Sequence, residues 1–186
     1  MNLSRQNIQA GLPVCIAASK VDGLVLTLTP NSHNYNYRSA VVFGYASLVT
    51  DVDEKLWAME LITNSVVSDR WRHTRLPPNA AEMQSTQILR VQVESASAKV
   101  RQGVPNDEKG DLEDDEVLDR VWTGVLPLYE TFGEPVPGPY NRVETVPEHV
   151  RVYKERLEEG NRDYALKAAM QPAPVKRTEV ARDDQG

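Results

Sequence analysis

The chain has 186 residues, with 27 acidic against 21 basic side chains and a formal net charge of -6. That length suits one domain with extensions and a core of useful size. The acidic balance argues against nucleic acid or an anionic membrane surface as a partner. No apolar run approaches the roughly 20 residues that span a bilayer, and MNLSRQNIQAG lacks the apolar centre of a secretory signal. A single cysteine, Cys15, excludes an internal disulfide and fits a reducing compartment. The expectation is a cytoplasmic protein without membrane spans, with Cys15 buried among Val14, Ile16 and Ala17.

In chain order, residues 2 to 10 read as a short helix that stops at Gly11. Val14 to Ser19 and Leu24 to Thr29 read as two strands, joined by a hairpin turn at KVDG with Asp22-Gly23 at its tip. Tyr35 to Val49 is β-branched and aromatic and predicts a long strand. Arg38 heads that strand beside Ser39; a cation in an apolar wall needs an anion, and a carboxylate, water or a phosphate would serve. Helical spacing of Val52, Leu56, Met59, Ile62 and Val66 after Asp51 and Glu54 predicts a capped helix covering the sheet. A basic, aromatic loop (SDRWRHTR) and a short helix over Ala80 to Ser85 follow. Thr86 to Val93 alternates as a strand with Leu89, Val91 and Val93 facing in, continued by Ser95 to Gly103.

Residues 104 to 116 form an acidic insertion without the ligand alternation of a calcium loop, hence a solvated loop. Val121 to Leu128 reads as a buried strand carrying Trp122. A last helix starts near Thr145 and Glu148, with Val146, Val150, Tyr153 and Leu157 on one face. The expected organisation is a domain over 1–160 and a polar, disordered tail over 161–186. His33, His73 and His149 are scattered, with no metal-ligand spacing among them or with Cys15, and no phosphate-cradling glycine loop or nucleophile elbow occurs. The residues alone therefore give a mostly antiparallel β domain with peripheral helices, no metal site and no assignable catalytic group.

Five stretches in order carry a resemblance: LPVCIAASKVDGLVL (12 to 26), NYRSAVVFGYASLV (36 to 49), DRW (69 to 71), SAKVRQG (97 to 103) and VWTGVLPL (121 to 128). Together they resemble the FMN-binding split barrels related to pyridoxamine 5'-phosphate oxidase, in the branch that includes nitroimidazole-resistance proteins. The resemblance implies a mostly β fold with peripheral helices: an antiparallel split barrel that forms a homodimer and holds FMN in the groove between subunits. It further implies that Ser4-Arg5, at a helix start, grips the FMN phosphate. Arg38 and Ser39 would offer polar groups to the flavin or its phosphate. Lys99 and Arg101 either reach the flavin's polar edge or end a strand in solvent. Trp122 either packs in the core or lies near the flavin, and Trp71 packs over the barrel.

Members of that family carry strands ahead of the Ser-Arg helix, whereas Met1 stands almost directly before it here. The expectation is therefore a barrel lacking its first strands, with exposed edges covered by a partner or by the C-terminal helix. The implied function is an FMN-dependent oxidoreductase taking electrons from a nicotinamide donor for an unknown small molecule. The alternatives are a flavin-binding protein without turnover and a cofactor-free dimerisation module.

Overall fold

A computed structural model describes residues 11–174; the expected helix over residues 2–10, with Ser4 and Arg5, lies outside the described residues. The chain forms one four-stranded antiparallel sheet in the order β3-β2-β1-β4, with helices around it. The strands are β1 (Leu12–Leu26), β2 (Asn34–Leu48), β3 (Leu89–Arg101) and the short β4 (Gly124–Pro127). Helix α1 (Val52–Val66) follows β2, α2 (Ala80–Ser85) precedes β3, α3 (Lys109–Leu112) and α4 (Asp115–Arg120) precede β4, and α5 (Glu148–Ala169) closes the described chain. This is the mostly β, peripherally helical split-barrel architecture expected from the sequence.

The chain divides into two compact units, and the long elements contribute to both. The first takes residues up to Ser19, then Ser39–Ala98 and Glu130–Arg162; the second takes Lys20–Arg38, Lys99–Tyr129 and the chain from Asp163. In the second unit Gly23 pairs with Pro127 and Leu26 with Gly124, antiparallel. Val25 is buried there, and so are Ala165 and Ala168 from the last turns of α5. The Ala168 carbonyl accepts from Gly103 N–H at 2.8 Å, tying that helix end to the chain leaving β3.

In the first unit Asp51 caps α1 by accepting from Glu54 N–H at 2.8 Å. The reciprocal capping box occurs one helix later, where Asn79 and Glu82 each bond the other's backbone N–H. Between β2 and β3 the approach is closest at Gly44, where a Cβ would lie 2.2 Å from the Gln92 carbonyl oxygen.

Several expectations give way. The KVDG turn is absent: β1 runs unbroken through Asp22-Gly23, because Gly23 is engaged by β4 and the Asp22 carboxylate is buried against a side chain of β2. Cys15 is exposed rather than buried, since the first half of β1 has little covering it within one chain. Leu89 and Val93 are exposed for the same reason. The acidic insertion is not a plain loop but folds two short helices, the second capped by Asp114. Trp122 precedes a strand of four residues instead of lying inside a longer buried one. Helix α5 continues through Gly160 for 22 residues, so residue 160 falls inside a helix whose later turns supply buried alanines.

Replacing Gly44 by alanine should cost more than about 2 kcal/mol, because the backbone of β3 cannot yield without breaking the ladder. Gly110→Ala, with nothing within 4 Å of the new Cβ, should stay within about 0.5 kcal/mol. Urea unfolding of the two variants checks the pair.

Candidate functional site

The second unit contains a connected polar network centred on Arg38. Its guanidinium forks onto Asp22, Nε donating to Oδ2 at 2.9 Å and Nη2 to Oδ1 at 2.7 Å. The same guanidinium stacks over the Tyr164 ring, 3.6 Å from its centroid. Gln102 donates to the Tyr164 hydroxyl at 2.8 Å, so the network joins β1, β2, α5 and the residue after β3. The anion required by Arg38 is thus a carboxylate of its own chain. The Asp22 bond and charge raise the guanidinium pKa further against the lowering effect of burial, and the group stays cationic.

One turn of the strand away, Asn36 is fully buried and satisfied at both ends. Its Nδ2 donates to the Gly103 carbonyl at 3.2 Å, and its Oδ1 accepts from Arg101 at 2.7 Å. Burial lowers the Arg101 pKa, though a guanidinium remains charged at any ordinary pH. Arg101 therefore holds β2 and the end of β3 together. Lys99, two residues earlier on β3, is exposed and has no side-chain hydrogen bond or ion pair among the described residues. Trp122 is 63% exposed. Its ring lies against Gly124, where φ is +152° and a Cβ would come within 2.8 Å of the indole. Ser39 is half-buried on β2 in the first unit.

A second feature belongs wholly to the first unit. Asp69 takes a left-handed conformation, φ 66°, and turns the chain after α1. Asn64 Oδ1 accepts from Trp71 N–H at 2.8 Å and fixes the single 3₁₀ turn Trp71–His73 against α1. That turn delivers His73 flat against His149 at the start of α5, with ring centroids 3.9 Å apart and planes 5° apart. Asp69 pairs with Arg72 and lies 3.5 Å from His73 Nε2. The two histidines line a cavity of about 700 Å³ together with Arg72, Tyr153 and Arg156. His149 Nε2 is buried and has no hydrogen-bond partner. Burial, then His73 and Arg70, push the His149 pKa below its usual value, so the ring is neutral at pH 7.

Residues 3–100, more than half of the 186, match the family model described as pyridoxamine 5'-phosphate oxidase. The chain belongs to that family. Two solved structures share the fold. The flavocytochrome Anf3 from Azotobacter vinelandii is 27% identical, with a TM-score of 0.67, over 82% of this chain and 69% of the other. An FAD and heme binding protein from Mycobacterium smegmatis is 24% identical, with a TM-score of 0.67, over 83% of this chain and 74% of the other. No curated protein matches significantly.

Within this flavin-binding family the structure separates the expected site residues. Arg38 is engaged by Asp22, Lys99 and Trp122 are exposed, Ser39 is half-buried, and Ser4 and Arg5 lie outside the described residues. Asp22, Tyr164 and the stacked histidines were not legible from spacing, since each partner is remote in sequence. Among the described residues no three His, Cys, Asp or Glu side chains converge on a metal position, and no helix is long and apolar enough to cross a membrane.

Arg38→Ala would leave the Asp22 carboxylate, 3% exposed, without its cation. Arg38 itself is 37% exposed, so the expected loss lies at the low end for a buried pair, about 3 kcal/mol. The double variant Arg38→Gln with Asp22→Asn should lose less than Arg38→Ala alone, as urea midpoints will show. For His149 the folded pKa is depressed, so its contribution to stability is complete above its unfolded value near 6.5 and falls as pH drops below it. His149→Phe should flatten that acid limb in melting temperatures measured between pH 5 and pH 8.

Proposed function

We propose that this chain is a flavin-dependent oxidoreductase that works as a homodimer, with FMN held between two copies and a nicotinamide donor supplying electrons for a small molecule. The observation that carries this reading is the uncovered apolar sheet of a single chain. In the first unit Leu12 and Ile16 on β1, Phe43 on β2 and Leu89 on β3 are all exposed. In the second unit so are Val100, Trp122 and Leu126. Apolar strand faces of this extent mark an interface, and a second copy is the occupant that the family's intersubunit groove requires.

The residues present fit a flavin. Trp122 offers a flat aromatic surface, and Lys99 offers a cation for the polar edge of the ring. Bound flavin would supply hydride and electron transfer, while the protein supplies position and electrostatics. Arg38, forked on Asp22 and stacked on Tyr164, ties β1, β2 and α5 together in the same unit. Ser39 and the Ser4-Arg5 pair remain the proposed polar and phosphate contacts.

A second reading concerns the redox partner of that flavin. The two solved neighbours are described as a flavocytochrome and as an FAD and heme binding protein. We infer a flavin-to-heme electron path as that second reading.

The purified protein should show flavin absorption bands that survive gel filtration, and light scattering should give a dimer mass. Extraction and chromatography of the released flavin will distinguish FMN from FAD. Lys99→Ala should weaken FMN binding by about 1.5–3 kcal/mol, the cost of one charge-assisted contact. A colourless dimer that refuses added FMN would instead support a cofactor-free dimerisation module, and a yellow protein that oxidises no nicotinamide donor a flavin carrier.

A further inference from the structure

We infer that the proline-rich arm preceding α5 docks, through Val136 and Tyr140, into a groove lined by Trp57 and Trp71 on a second copy of this chain. The inference rests on the dimer reading above for the second copy and adds the arm, the groove and the residues. Arm and groove both belong to the first unit, apart from the exposed strand residues that carry the dimer reading.

Between β4 and α5 the chain forms no helix or strand. It is held on α5 where Phe132 N–H donates to Glu158 at 2.7 Å and Lys154 Nζ donates to the Gly133 carbonyl at 3.2 Å. Beyond that point Pro135, Pro137 and Pro139 fix alternate φ angles and stiffen the arm. Its tip is a turn around Pro139-Tyr140, closed by Asn141 N–H donating to the Gly138 carbonyl at 3.0 Å. Asn141 Nδ2 then donates to the Val143 carbonyl at 2.7 Å. The arm is shaped by its own bonds, yet Val136 is 90% and Tyr140 94% exposed. Apolar side chains on a stiff, pre-shaped segment lose little freedom on docking, and tyrosine is among the residues that anchor interfaces.

The groove, of about 500 Å³, is walled by Trp57, Trp71, Leu76 and Pro77-Pro78, with Glu60 among its lining. Trp57 and Leu76 are exposed in the single chain. Proline-rich segments dock into aromatic-lined grooves of this kind, and no arm residue of the same chain lines this one. Charge agrees with the match. Glu60 and Arg142, the latter two residues past Tyr140, have no side-chain hydrogen bond or ion pair among the described residues. Docking the tip offers the arm's guanidinium to the groove's carboxylate. The arm's own carboxylates stand elsewhere: Glu134 lies 4.0 Å from Lys154, and Glu144 is two residues nearer α5 than Arg142. Each copy carries both an arm and a groove, so a two-fold pair fills both at once.

The test replaces Tyr140 of the full-length protein by the photoreactive p-benzoylphenylalanine and maps its cross-links by mass spectrometry in an equal mixture of isotope-labelled and unlabelled chains. The expected product joins position 140 to residues 56–78 and contains one labelled and one unlabelled chain. Trp57→Ala, a change at an exposed position, should lower its yield by about tenfold, the loss of an aromatic anchor. Without the photoreactive group, Tyr140→Ala should shift tryptophan emission to the red as Trp57 and Trp71 lose their cover. Unchanged emission, or cross-links confined to one chain or to Leu12, Ile16 and Phe43, would overturn the inference. Absence of the product in a sample that light scattering shows to be dimeric would overturn it too, while leaving the dimer reading standing. A monomer mass with no product would overturn both.

Discussion

The fork between Asp22 and Arg38 is the constraint on which the second unit depends. A carboxylate held 3% exposed is tolerable only with a cation on both of its oxygens, and Arg38 provides this at 2.7 Å and 2.9 Å. Stacking of the same guanidinium on Tyr164 brings α5 into the arrangement. Gln102 then reaches the tyrosine hydroxyl, and Gly103 N–H reaches the Ala168 carbonyl. One charged contact thus sets the relation of two central strands to the helix whose alanines fill the small core.

That core is small for a chain of 186 residues. The buried apolar side chains among the described residues are Val25, Ala46, Val49, Ala165 and Ala168. Hydrophobic burial of this extent contrasts with the apolar residues left on β1, β2, β3 and the outer side of α1, where Trp57 and Ile62 are exposed. Lys99 and Trp122 are among the exposed residues as well.

The histidine pair illustrates a different constraint. A left-handed Asp69 and a side-chain bond from Asn64 bend the chain after α1, and the bend lays His73 on His149 at the start of a long helix. Close stacking favours rings that are not both charged, in agreement with the lowered pKa of His149. His73, at the end of the 3₁₀ turn Trp71–His73, lines the cavity with His149.

The sequence by itself determined the elements whose signals are local. The β-branched run of β2, the helical spacing and Asp51 cap of α1, and the short helix α2 appear with bounds close to those expected. Ordered short words were also enough to indicate the split-barrel family. Only the tertiary structure decided what depends on partners remote in the chain. Asp-Gly in KVDG carries a turn signal, yet pairing with β4 and the Arg38 fork hold it straight. Arg38 needed an anion, and which one it took was fixed by the register of β1 against β2. The residues after Gly160 continue α5, which buries Ala165 and Ala168 and bonds Gly103 N–H through the Ala168 carbonyl. His73 and His149 met although 76 positions separate them (149 − 73). Local propensity encodes the backbone of each element, whereas the partner of a buried charge or ring is set by packing, which no window along the chain contains.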